Sequence, residues 1–238
     1  MGGLLREPDF TIVETQKVKT KKPVVFIGFQ SPGLIGVMAV SHIIGSLRME
    51  EVGYLKSKYI PRIKLIAGSM SKTVNPFRIY ANSEGDVLAL VNDSPTGLTG
   101  LTPLFNGIGK TLVDWFHRKN ARLIVTLGSI PKQKKMKSEL VAYTMDAEKL
   151  KELEKFGIKP LQQGFIGGLF VSIVDECTER GIPWLMLFAS TSKLGEMDIE
   201  GVSMLLDSLN KAMGLDIETE SLKRMSSGRG LRRYLRRR

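Results

Sequence analysis

Val24-Val25-Phe26-Ile27-Gly28-Phe29-Gln30-Ser31-Pro32-Gly33-Leu34-Ile35-Gly36 is the stretch that decides the fold class. Residues 24–29 carry no polar side chain, the pattern of a strand buried on both faces. The glycines and Pro32 then mark a tight turn. The apolar run resumes over residues 34–47, interrupted by Ser41, His42, Gly45 and Ser46. It falls short of the ~20 residues a membrane span needs, so it reads as a buried helix.

Similar apolar runs recur at 87–91, 122–127 and 184–189, and each is tied to an amphipathic helix. Thr102 and Pro103 read as an N-cap and first-turn pair. Leu104, Ile108, Leu112, Trp115 and Phe116 then mark one helix face, to about Lys119. Ile166, Leu169, Phe170, Ile173, Val174 and Cys177 keep helical spacing to Arg180, before Gly181-Ile182-Pro183. A last helix carries Val202, Leu205, Leu206 and Leu209. Alternating segments around 10–13, 53–59, 78–80 and 140–143 read as further strands, some antiparallel at the edges. Strands alternating with helices imply an α/β fold: three layers, a mainly parallel sheet with helices on both faces, joined by right-handed crossovers.

The 238 residues suffice for one such domain, expected over 1–220, with a basic flexible tail over 221–238. The net charge is +11, but eight basic residues and no acidic one lie from Lys223 onward, leaving +3 for the rest. The body is therefore nearly balanced, and the tail is the basic element. Within it Leu231, Tyr234 and Leu235 fall at helical spacing among Arg232, Arg233 and Arg236, a pattern for a short basic amphipathic helix formed on contact with a partner. Nucleic acid would be reached only through this tail, in a salt-sensitive way. Arg6, Glu7 and Asp9 stand where a signal peptide would be apolar, so a cytoplasmic location is expected.

Chemistry-bearing residues are few. One cysteine, Cys177, and two histidines, His42 and His117, leave no Cys/His metal cluster and no internal disulfide. Cys177 continues an apolar helix face and reads as a core thiol. His42 reads as an interior, hydrogen-bonded histidine, and His117 lies near a helix C-terminus, where a partial positive charge is favourable and no catalytic role is needed. Gly28, Gly33 and Gly36 do not keep dinucleotide spacing, since Gln30 fills the third position, and they read as a tight turn with close helix packing. Gly109-Lys110-Thr111 ends like a P-loop, but the earlier glycine position is Leu104 and the stretch lies inside a helix. No catalytic set, metal site or cofactor site is assigned. The strand ends at Ser31, Asn92-Asp93-Ser94, Ser129 and 190–192 open on one edge, where open α/β sheets bind ligands. Ser31, Asn92, Asp93 and Ser129 are therefore the candidate pocket for a small polar ligand or nucleoside. Lys132, Lys134, Lys135 and Lys137 crowd the loop after Gly128-Ser129, a solvated loop or a surface for an acidic partner.

One ordered set of blocks adds to this: Gly28-Phe29 with Pro32-Gly33-Leu34-Ile35-Gly36, Glu51-Val52-Gly53, Leu127-Gly128, Gly167-Gly168-Leu169 and Gly181-Ile182-Pro183. In this order, over about 24–215, the sequence resembles the proteasome assembly chaperone family in its archaeal form. The resemblance implies a fold like that of nucleoside phosphorylases without enzymatic activity. It also implies binding to proteasome α-subunits or to a second assembly chaperone, and a homo-oligomer. Members that dock on the α-ring carry a C-terminal hydrophobic-tyrosine-any-residue motif. Here Tyr234 follows Arg233 and precedes Leu235-Arg236-Arg237-Arg238, so the terminal carboxylate would be misplaced for that mechanism. The tail, Leu231, Arg232, Arg233, Tyr234, Leu235 and Arg236, is the expected partner-binding element. The competing expectation is an enzyme using the strand-end pocket.

Overall fold

The computed structural model describes residues 10–67, 69–93 and 104–226. Thr102, Pro103, Ser94 and the tail residues 227–238 lie outside them. The main sheet has nine strands, β1 Thr11–Glu14, β2 Val24–Gly28, β3 Glu50–Lys56, β6 Phe77–Ala81, β7 Val87–Asn92, β8 Leu123–Pro131, β9 Leu140–Tyr143, β10 Ile158–Pro160 and β11 Trp184–Thr191. Their order is β1-β3-β6-β7-β2-β8-β11-β9-β10, and β4 Ile63–Ala67 with β5 Met70–Val74 forms a separate hairpin. Among the described residues six α-helices accompany the strands: α1 Ile35–Ser46, α2 Phe105–Arg118, α3 Ala147–Glu154, α4 Leu169–Glu179, α5 Ile199–Met213 and α6 Glu220–Ser226.

The central strands run parallel. Val24 N–H donates to Asp86 O, Arg122 N–H to Pro23 O and Ile124 N–H to Pro183 O, which sets the starts of β7, β2, β8 and β11 side by side. Their continuous burial follows, with every residue of β2, β7 and β11 buried. Antiparallel pairing is found where alternation was read: β1 with β3, β3 with β6, β6 with β7 and β9 with β11. The α/β class with a large mixed sheet is thus the one expected from the sequence.

The chain divides into two compact units. One holds the described residues within 1–26, 49–124 and 165–184. Its helices α2 and α4 meet at Gly109, where a Cβ would lie 2.9 Å from Ser172 Cβ. Ser172 Oγ donates to Asn106 Oδ1 at 3.0 Å beside that crossing. Gly109 is therefore a packing glycine on a helix, and the P-loop likeness is accidental. Strand β1 is tied to α2 through Glu14, which accepts from Trp115 Nε1 at 2.7 Å and pairs with Lys119 at 2.9 Å.

The other unit holds 27–48, 125–164 and the described residues of 185–238. Here α1 packs so close to β2 and β8 that Gly36 has no room for a side chain: a Cβ would overlap the Leu127 carbonyl and lie 2.7 Å from Phe29 O. At Gly33 the chain takes φ +70°, and Leu34 follows at +54°. That left-handed pair is what turns the strand into α1. Helix α6 covers the first residues assigned to the tail, with Leu222 buried and Lys223 Nζ 3.2 Å from Asp207.

Several elements differ from the sequence reading. Helix α4 begins at Leu169, leaving Ile166 outside, because Gly168 sits at φ +72° and breaks the helical path. Strand β3 starts at Glu50 and ends at Lys56 instead of spanning 53–59. The β4–β5 hairpin, β10 and α3 are additional elements. Helix α3 has a legible start in Asp146, whose carboxylate accepts from Lys149 N at 3.0 Å.

Candidate functional site

Two of the polar strand-end residues named from the sequence, Asp93 and Ser129, are engaged by their own neighbours. In the first unit, Asn92 closes β7 fully buried, and Asp93 accepts from Arg78 Nε at 3.1 Å. Arg78 also donates to Tyr80 Oη and lies 3.6 Å from Glu51. Burial works against the Arg78 charge, yet Asp93 more than offsets it and raises the Arg78 pKa. Asp93 is thus the counter-ion of a half-buried arginine.

Ser31 and Ser129 belong to the second unit. Ser129 Oγ donates to Pro32 O, pinning the 31–34 turn to the end of β8. Ser31 precedes that turn in extended conformation, and its buried Oγ makes no cap bond. The residue that organises this edge is one the sequence reading passed over. Asp198, 6% exposed, is the N-cap of α5. Its carboxylate accepts from Thr191 Oγ1 at 2.5 Å, Lys193 Nζ at 3.1 Å and Gly201 N at 3.2 Å, while its own N–H donates to Gly33 O at 2.9 Å. Burial alone would raise its pKa; these three donors outweigh it and hold the carboxyl below its ordinary value. The end of β11, the start of α5 and the glycine turn are locked at one carboxylate. Asp198 followed three residues later by Gly201 was the available signal, a capping residue ahead of an apolar helix.

Loops of another character rise from this lock. The loop after β8 is clamped at both ends to β11, by Lys132 N–H to Thr191 O at 2.8 Å and Ser190 N–H to Glu139 O at 2.8 Å. It exposes Lys134, Lys135 and Lys137 around Met136, which is 56% exposed. The loop from β11 to Asp198 exposes Leu194 at 69% and Met197 at 58%.

A concavity of about 430 Å³ lies in the first unit, at the starts of β2, β8 and β11. Lys21, Lys22, His117, Arg122 and Arg180 are among its lining. The C-termini of α2 and α4 reach the same place, and their carbonyls account for cations gathering there. Arg180 is further tied to Asp114 at 2.6 Å and to Glu176.

His42 is half-buried, and its Nε2–H donates to Glu218 O. His117 is exposed near the end of α2. Among the described residues no group of three or more His, Cys, Asp or Glu side chains is placed to hold a metal, and no helix is long and apolar enough to cross a membrane. Cys177 is fully buried, and burial pushes its thiol up to about 12. Native protein at pH 8 should therefore resist iodoacetamide, with modification by mass spectrometry appearing only in denaturant. Labelling of the native chain at the rate of a free thiol would contradict this burial.

Comparison with known proteins places this arrangement. The model of the PAC2 family matches residues 25–227. The chain belongs to the PAC2 family. An uncharacterized protein of Methanocaldococcus jannaschii is 30% identical over 213 residues, covering 88% of this chain and 83% of the relative. A crystal structure from Thermoplasma acidophilum, of a protein with unknown function, superposes with a TM-score of 0.77 at 30% identity over 88% of this chain and 84% of that one. PbaA of Pyrococcus furiosus, described as an archaeal homolog of proteasome-assembly chaperone, shares the fold with a TM-score of 0.79 at 24% identity, over 95% and 91% of the two chains. The glycine blocks of this PAC2 chain thus include the close-packing points that build the fold, as Gly28, Gly33 and Gly36 illustrate.

Proposed function

We propose that this chain is a non-enzymatic, chaperone-like protein that binds proteasome α-subunits or a partner assembly chaperone and works as a homo-oligomer. The carrying observation is membership of the PAC2 family together with a fold shared with an archaeal homolog of proteasome-assembly chaperone. The strand-end side chains add support. Asp93 holds Arg78 and Ser129 holds Pro32, so these groups serve the protein's own framework in place of a reacting substrate. A nucleoside-binding enzyme at that edge is the less supported reading. The basic tail, Leu231 to Arg236, acts as a second binding element in this proposal; the sequence around it makes nucleic acid a lesser partner, since Tyr234 is its only aromatic residue.

The test is co-purification with recombinant proteasome α-subunits, comparing the full chain with one ended after Ser226, which keeps α6 whole. The full chain is expected to retain α-subunits and to speed ring assembly, with weaker retention after truncation. Absence of retention by both forms, with assembly unchanged and no assembly-chaperone partner captured, would sink the reading. A thermal shift with nucleosides that disappears on Asp93→Ala would favour the enzyme instead.

A further inference from the structure

We infer that the two loops rising from the end of β11, with the start of α1, form a docking surface for an acidic protein face bearing apolar depressions. The inference rests on the chaperone reading and names where on the chain its partner would sit.

Four large apolar side chains stand out from one structural root. Leu34 (40% exposed) follows Gly33, whose carbonyl receives the Asp198 N–H. Leu194 and Met197 lie on the short loop between Thr191 and Asp198, both fixed by the buried carboxylate. Met136 tops the loop whose two ends are bonded to Ser190 and Thr191. Exposed apolar groups scattered singly over a surface need no explanation, but groups gathered on one strand end mark an interaction site. Two of the four are methionines, whose unbranched thioethers adapt to irregular partner surfaces.

Charge specifies the partner further. Among the described residues, Lys134, Lys135 and Lys137 form no ion pair, so the three exposed ammonium groups that flank Met136 in the chain are uncompensated. Lys132 and Lys193 are differently employed, the first donating to Met136 O at 2.5 Å and the second to Asp198. Nearby Glu139 is drawn off by Lys159 at 2.8 Å. A lysine-ringed apolar tip steers and fits a carboxylate-rich surface with apolar pockets. A single-stranded nucleic acid would call for aromatic side chains to stack on its bases and a duplex would use the lysines alone, leaving the aliphatic and thioether groups of this tip unmatched.

The lock beneath the loops matters as much as their tips. Because Asp198, Thr191 and Ser190 hold the loop bases, less ordering entropy is lost on docking than for loops without such anchors.

The experiment measures binding of the full chain to recombinant proteasome α-subunits by interferometry. One variant carries Met136→Asp and Leu194→Asp; a second carries Lys134→Glu, Lys135→Glu and Lys137→Glu. A control with Lys56→Glu, Lys72→Glu and Lys211→Glu makes the same charge change at exposed positions elsewhere. Each loop variant is expected to weaken binding by about tenfold or more, and the control by less than about threefold, with Tm preserved in all. Binding of the second variant should also become less sensitive to salt. Should one loop variant lose its thermal transition, the other carries the test. Unchanged affinity in the folded loop variants overturns this surface while leaving the chaperone reading in place; no binding of α-subunits by the intact chain overturns this surface as their docking site, and overturns the chaperone reading as well when no assembly-chaperone partner is captured. Displacement of the α-subunits by a mixed-sequence duplex DNA, lost in the lysine variant alone, would overturn the acidic-protein assignment in favour of nucleic acid.

Discussion

Gly36→Ala is expected to destabilise the protein by about 3 kcal/mol or more, because the added methyl meets backbone instead of side chains that can turn away. A Cβ at Gly36 overlaps the Leu127 carbonyl of β8 and sits 2.7 Å from the Phe29 carbonyl. Both oxygens belong to backbone fixed by neighbouring structure, so relief requires α1 to lift away from the strands. That shift would also loosen Ile35, Ala39, Val40 and Ile43, all buried on α1. Urea unfolding with the m-value monitored checks this, since a lower midpoint at unchanged slope reports lost stability with the compactness of both states preserved. Gly45→Ala supplies the contrast: nothing lies within 4 Å of its would-be Cβ, on the same helix. That change should be neutral or slightly stabilising, by up to about 1 kcal/mol from helix propensity. Equal stability of Gly36→Ala and the parent would show that the close approach is not a constraint.

Asp198→Ala is expected to cost about 3 kcal/mol, combining loss of an N-cap with removal of the carboxylate that serves Thr191 and Lys193. Lys193 is 42% exposed, so its ion pair supplies little of that total. Most of it comes from the cap bond to Gly201 and the buried Thr191 hydroxyl left without its acceptor. Asp198→Asn keeps a capping side chain and should lose only about half as much. The pH dependence has a fixed sign. The folded carboxyl titrates below its ordinary value, so its contribution is complete above the unfolded value of about 4 and is lost as pH falls from there through the folded pKa. Chemical denaturation from pH 6 down to about pH 2 should show a shallower fall in stability for Asp198→Ala than for the parent. Parallel pH profiles for the two would refute the assigned role. The same substitution should also free the 192–197 loop, and hydrogen exchange there would report it.

Asp198 and Gly36 show how differently residues of one edge disclose themselves in sequence. Gly36 was legible as part of a tight strand-to-helix turn, since a glycine in an apolar helix start has few other uses. What it touches was not, because the Leu127 carbonyl comes from a strand some ninety residues away. Asp198 is an ordinary capping aspartate in sequence, and its burial, its Thr191 donor and its bond to Gly33 arise only when β11, α5 and the turn converge. Ser129 and Asp93 illustrate the reverse. Small polar residues at strand ends suggested a ligand, yet Pro32 O and Arg78 lay within reach. A polar side chain's role depends on its nearest partner, which chain order does not supply. The β4–β5 hairpin was missed for a related reason: its strands pair with each other as a separate two-stranded sheet, so no long buried run announces them.

The sequence by itself determined the α/β class, through four short apolar runs bounded by turn signals and alternating with amphipathic helix patterns, and it determined the location of the charge. Periodicity and composition are properties of neighbours in the chain, and burial enforces them directly. It also carried the ordered glycine blocks that place the chain in its family. Only the tertiary structure decided which polar groups at the strand ends are spent on one another and which loops stand free with Leu194, Met197 and Met136 exposed. Those outcomes depend on long-range distances, since a hydrogen bond forms within about 3 Å of whatever the fold brings near. Sequence separation says nothing about that meeting.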